Sequence, residues 1–121
     1  ELPLDMSEGF DENAETLANA GNGHAYPTIT ITGIIENPSI QNQTTGLSLS
    51  INRNLTTTSD NIVIDMYERT VLFNGVTNIA HLVTGDFWTL QSGNNVVKLN
   101  AGSSGSGGKA TVVWRDAYLG V

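Results

Sequence analysis

Cysteine is absent from the 121 residues, which excludes a disulfide framework and a thiolate metal site. That absence fits a chain assembled in a reducing cytoplasm. Histidine is almost as scarce, with only His24 and His81, so a nucleophilic Ser or Thr would have few bases beside it. Lys and Arg together number five, and nucleic-acid binding, which needs clustered basic groups to neutralise phosphates, is disfavoured. No apolar run approaches the ~20 residues of a spanning helix, so a membrane role lacks support. No basic-then-apolar signal segment opens the chain. It begins at Glu1 and not at Met, which reads as an excised fragment or a processed chain.

Charge is sparse at 14% and unevenly placed. Glu1, Asp5, Glu8, Asp11, Glu12 and Glu15 all precede the first basic residue. After them, Glu36, Asp60, Asp65, Glu68, Asp86 and Asp116 are nearly balanced by Arg53, Arg69, Lys98, Lys109 and Arg115. The net charge of -7 therefore belongs mostly to the N-terminal segment. Residues 1–25 read as an acidic linker or arm outside the core, in which Asp11 to Ala20 has the composition of a short helix stopped by Gly21. The remainder, residues 26–121, has the length of one domain.

What is present in quantity is Thr, Ser, Asn, Ile and Val, with 13 Gly. β-branched residues suit a pleated surface, while Gly and Asn supply tight turns. Thr28, Thr30 and Thr32 alternate with Ile29 and Ile31 before Ile34-Ile35, and Leu47, Leu49 and Ile51 alternate with Ser48 and Ser50. Strict period two predicts half-buried strands at both places. Asn37-Pro38 ends the first, and a short strand over Ile40 to Thr45 precedes the turn at Thr45-Gly46. Ile62 to Met66 and Thr70 to Phe73, joined by Tyr67-Glu68-Arg69 and closed by Asn74-Gly75, predict a hairpin. Further strands are expected at Asp86 to Leu90, Asn95 to Asn100 and Lys109 to Trp114. Gly102 to Gly108 reads as a long hairpin loop between the last two. Many short strands separated by turns predict an all-β fold of two antiparallel sheets packed as a sandwich.

The inventory for catalysis is thin. Asp65, Glu68, Asp86 and Asp116 are the body's main carboxylates, and nothing in their spacing sets two of them across a cleft as glycoside hydrolysis requires. Asp60-Asn61 reads as turn chemistry. The glycines of 102–108 lack the Gly-Lys-Ser/Thr ending of a phosphate-binding loop. No catalytic residue, metal or cofactor is therefore expected. Sugar binding has more physical content, because sugars stack their apolar faces on aromatic rings while Asp and Arg bond the hydroxyls. Phe87-Trp88 and Trp114-Arg115-Asp116 hold the right residue types, which makes Trp88, Trp114, Arg115 and Asp116 candidate carbohydrate contacts. In a domain of this size, however, a tryptophan more often anchors the core, where it buries a large apolar area.

The order of short phrases carries a further signal. Ala25-Tyr26-Pro27 leads into the Thr/Ile strand, followed by Asn37-Pro38 and the Asn42-Gln43-Thr44-Thr45-Gly46 turn. Asp60-Asn61-Ile62-Val63-Ile64-Asp65, Arg69 to Val76, Gly85-Asp86-Phe87-Trp88-Thr89-Leu90, Gly93-Asn94-Asn95 and Ala110 to Leu119 then succeed one another. Across residues 25–121 this series resembles the C-terminal domain of siphovirus distal tail proteins and related phage tail components. The resemblance implies a galectin-like or jelly-roll β-sandwich in the virion, assembled in the bacterial cytoplasm. It implies a scaffold with no catalytic residues, joining the tail to the host-adsorption apparatus through other tail proteins, with host cell-wall saccharide as an alternative partner. Such proteins are commonly hexameric, but their ring is built chiefly by a preceding domain, so this chain alone is expected to be a monomer.

Overall fold

The computed structural model describes residues 5–10, 14–102 and 107–115. Eleven strands run through them: β1 (Asp5–Phe10), β2 (Ala14–Asn19), β3 (Thr28–Thr32), β4 (Ser39–Asn42), β5 (Leu47–Ile51), β6 (Asn61–Asp65), β7 (Thr70–Phe73), β8 (Thr77–Asn78), β9 (Val83–Gly85), β10 (Gly93–Asn100) and β11 (Lys109–Arg115). A 3-10 turn at Ala80–Leu82 precedes β9. The strands form two sheets, one in the order β1-β11-β3-β6-β7-β8 and the other β2-β10-β4-β5-β9. Every pairing is antiparallel.

The alternation seen in the sequence sets the packing. Ile29 and Ile31 of β3, Ile62 and Ile64 of β6, and Val112 of β11 turn inward from the six-stranded sheet. Ile40, Leu49, Ile51, Val97 and Leu99 meet them from the five-stranded sheet. Each such side chain taken from water contributes about 1.5–3 kcal/mol before the entropy of ordering is subtracted. Thr28, Thr30 and Thr32 point to the other face of β3 and are half-buried. A one-residue slip of β3 would exchange isoleucines for threonines throughout, so the register is fixed by burial.

Turn chemistry matches the hairpin predicted at 62–75. Asp65 accepts the amides of Tyr67 and Glu68 through Oδ1, both at 3.0 Å, and Arg69 takes a positive φ of 60° to close the turn. Asn74 and Gly75 follow with φ of 54° and 73°, and Asn74 Nδ2 donates to Asp60 Oδ1 at 3.1 Å. Gly33 is required by both dihedral and space. Its φ is 86°, and a Cβ there would run into the carbonyl oxygen of Gly107.

Three expectations are corrected. The first is the N-terminal arm: β2 pairs with β10 over Asn19↔Gly93 to Ala14↔Lys98, and β1 pairs with β11 over Asp5↔Arg115 to Phe10↔Ala110. Leu17 and Asn19 are buried while Thr16 and Ala18 are exposed, a strand alternation and not a helical one. Without these two strands, β10 and β11 would each present an open row of N–H and C=O groups, and satisfying those rows overrides a weak helix preference. Residues 11–13, the centre of the acidic stretch, lie outside the described residues.

The second correction concerns residues 86–90, which form no ladder. Leu90 alone makes an isolated bridge, to Ala25, and the neighbouring strand is β9 at Val83–Gly85, beside β5. The third concerns Gly102 to Gly108. Because β10 lies in one sheet and β11 in the other, this connection crosses between the sheets and does not close a hairpin. Gly102 and Gly107 tie its two ends to residues 34–36, their amides donating to the Glu36 and Ile34 carbonyls at 2.6 and 2.8 Å, and residues 103–106 lie outside the described residues.

Candidate functional site

Asp86 to Leu90 looks like a strand in sequence but, together with Gln91, is held by side chains instead. Trp88 is 2% exposed, and its Nε1 donates to the Ile40 carbonyl of β4 at 3.1 Å. Beneath the segment lie Asn42 and Asn95, both fully buried. Asn42 Nδ2 donates to the Thr89 carbonyl at 3.1 Å and to Asn95 Oδ1 at 3.2 Å, while its Oδ1 accepts the amides of Thr44 and Thr45. Asn95 Nδ2 donates to the Gln91 and Gly93 carbonyls, and its Oδ1 accepts the Gln91 amide at 2.9 Å. Asn19 closes the neighbouring loop, donating to the Gly23 and Leu90 carbonyls at 2.7 and 3.2 Å. No buried side-chain N or O among the described residues lacks a partner.

These asparagines replace a missing ladder with side-chain amides, each of which offers both donors and acceptors. Asn95→Ala removes both functions at once and leaves the Gln91 amide, two carbonyls and Asn42 Nδ2 short of a partner. At about 1–3 kcal/mol per stranded buried group, with partial relaxation, the expected loss is roughly 3 kcal/mol. Urea unfolding checks it, and a loss under about 1 kcal/mol would mean that water replaces the amide.

The sequence-predicted sugar contacts are not gathered on one surface. Trp114 is 6% exposed on the inner side of β11, and its Nε1 donates at 3.3 Å to the Ala18 carbonyl of β2, so it spans the two sheets. Neither indole presents a free face for stacking. Arg115 is exposed at the end of β11. Asp116 lies outside the described residues.

The histidines are also separated. His24 Nδ1 lies 2.9 Å from Thr89 Oγ1, and His81 is exposed on the 3-10 turn. Among the described residues, no three or more His, Cys, Asp or Glu side chains come together as metal ligands.

One exposed cluster was not singled out in sequence. Tyr26 is 52% exposed and Tyr67 70%, with ring centroids 5.3 Å apart and planes at 89°. The Thr28↔Asp65 pairing of β3 with β6, continued two residues outward, brings them level. The only sequence signals were a Tyr before Pro and a Tyr in an otherwise charged turn, and neither shows that the two meet. On another edge, the Arg53 guanidinium stacks 4.0 Å above the ring of half-buried Phe73, a cation–π contact that covers an otherwise wet aromatic.

The family model of the siphovirus-type tail component, C-terminal domain, matches residues 20–118. The chain belongs to that family. Its matched region starts at the residue after β2, so the two strands that complete the sheets precede the family match. The tail-component domain is also similar to a solved structure, the Dit (gp 19.1) protein of phage SPP1, described as a paradigm of the hub adsorption apparatus in phages that infect Gram-positive hosts. That likeness has a TM-score of 0.74 at 15% identity and covers 93% of this chain but 46% of the other. The tail-component domain therefore spans under half of the protein it matches, and at this identity the likeness speaks for the fold. A comparison with the curated proteins found no match.

Proposed function

We infer that this domain is a structural module of a phage tail tip, holding other tail proteins in place where the tail meets the host-adsorption apparatus. The observation that carries the reading is the tail-component match over residues 20–118, laid on a sandwich whose buried polar side chains, among the described residues, are all hydrogen-bonded. Its contribution is to position partners and not to perform a reaction. The virion tail is its place of work, and assembly precedes release from the bacterial cytoplasm.

By itself the chain is a monomer. Among the described residues, the large exposed apolar side chains Ile34, Leu47, Val76 and Val113 lie on separate elements, whereas stable association uses a continuous face. Oligomerisation in the intact tail would then come from other parts of the parent protein.

Immunogold labelling of purified virions with an antibody against this domain tests the placement. Gold is expected at the distal end of the tail. Labelling along the shaft or at the head would overturn the assignment.

A further inference from the structure

The tail-tip role leaves Tyr26 and Tyr67 unused. A perpendicular pair makes a corner: the edge of one ring meets the face of the other and leaves an open aromatic face turned to solvent. Both rings stand on fixed backbone. Tyr26 is flanked by Ala25, whose amide and carbonyl both bond Leu90 at 2.8 Å, and by Pro27, whose carbonyl accepts the Met66 amide at 3.1 Å. The following proline also restricts Tyr26 to extended conformations. Tyr67 is held by its amide on Asp65 Oδ1. Rings set in place before binding spare the ligand most of the ordering cost, and tyrosine offers a large contact with only two side-chain torsions to fix.

The surroundings define the occupant. Glu68 and Arg69 are exposed beside Tyr67, and Thr28 is half-buried beyond Tyr26. Val113 pairs with Thr28, so Arg115, two residues further along β11, emerges on that same face at the level of Tyr26. Taking about 150–250 Å² for an aromatic side chain, exposures of 52% and 70% leave roughly 200–300 Å² of ring surface. A stable protein partner needs about 800 Å² on each side. The patch is too small for that, and its rim is polar and of mixed charge. A stacked nucleobase would need clustered Lys and Arg for its phosphate backbone, and the chain has only five such residues, spread from Arg53 to Arg115. A pyranose ring has the matching chemistry, with a C–H face of about one aromatic ring in width and hydroxyls around its margin.

The geometry points to a saccharide-binding site at Tyr26 and Tyr67, which takes a pyranose unit of a cell-surface glycan on the aromatic corner, with Glu68, Arg69 and Arg115 toward its hydroxyls. The site is independent of where the domain sits in the virion, which gold labelling tests separately.

The test is an amide NMR titration of the 121-residue chain with neutral tetrasaccharides of glucose, galactose, N-acetylglucosamine and rhamnose. Saturable shifts are expected with at least one of them, largest at Tyr26, Tyr67, Thr28 and Glu68. Tyr26→Ala and Tyr67→Ala should each weaken that binding by about tenfold or more at an unchanged urea midpoint, while Val76→Ala leaves it intact. Absence of saturable binding across the panel overturns the site, as does binding that survives both tyrosine substitutions. Sugar-independent self-association that Tyr67→Ala abolishes also overturns it and assigns the corner to a second copy of the chain.

Discussion

Deleting residues 1–19 is expected to leave a chain that does not fold stably, even though everything the family model matches remains. The deletion removes β1 and β2 together. Burial of Leu17 is lost, at about 1.5–3 kcal/mol. Trp114 Nε1 loses the Ala18 carbonyl, and Leu90 loses its bond from Asn19, at roughly 1–3 kcal/mol for each buried group left unpaired. The loss of twelve paired residue positions comes on top. A sum of at least about 5 kcal/mol is comparable with the whole stability of a small domain, about 5–15 kcal/mol. The shortened chain also carries two open edges, β10 and β11, eight and seven residues long, which are templates for aggregation. Circular dichroism with urea unfolding, and size-exclusion chromatography for association, make the comparison. A truncated monomer that unfolds cooperatively within about 2 kcal/mol of the full chain would show that the N-terminal strands are ornamental to stability.

Trp88→Ala should cost about 3–5 kcal/mol, the range for emptying a large aromatic site in a core. Trp88→Phe keeps most of the ring volume but strips the N–H that the Ile40 carbonyl accepts, and roughly 1–2 kcal/mol is expected from it. The ratio between the two substitutions is the informative result. A core anchor loses chiefly through volume, whereas a ring kept for a ligand would lose binding and leave the urea midpoint almost unmoved. If Trp88→Ala unfolds at the same urea concentration as the parent chain, the anchoring role is wrong.

The strands of the sandwich's centre were legible because their physics is local. Ile29 and Ile31 against Thr28, Thr30 and Thr32 declare which face is buried, and Asn74-Gly75 declares the turn by its dihedral demands. The hairpin of Ile62 to Phe73 followed from the same signals within one residue at its start. The N-terminal strands were not legible, because what makes them strands is the open edges of β10 and β11, some eighty to a hundred residues further along the chain. Composition saw only Glu and Ala in 11–20 and proposed a helix. Asp86 to Leu90 misleads in the opposite direction: its aromatic and β-branched residues suit a strand, but Asn42 takes the Thr89 carbonyl and Asn95 the backbone of Gln91 just after it. Nor does the sequence show which sheet each strand joins, and without that Gly102 to Gly108 has the look of a hairpin loop.

The candidate site divides in the same way. Trp88 and Trp114 were visible as residues, yet their side chains face the core, which only the topology decides. Tyr26 and Tyr67 are forty-one positions apart, and their meeting depends on the β3–β6 register.

The pairing of β1 with β11 also has a mechanical side. Asp5 stands opposite Arg115, so the described strands nearest the two ends of the chain leave the sandwich side by side. Tension applied through both of them would peel β1 from β11 one rung at a time, the weakest way to load a ladder. A pull entering at Asp5 and leaving through the outer face of the six-stranded sheet would instead stress all the rungs of that pair together. The direction of pull through this domain would therefore decide whether it yields or stands.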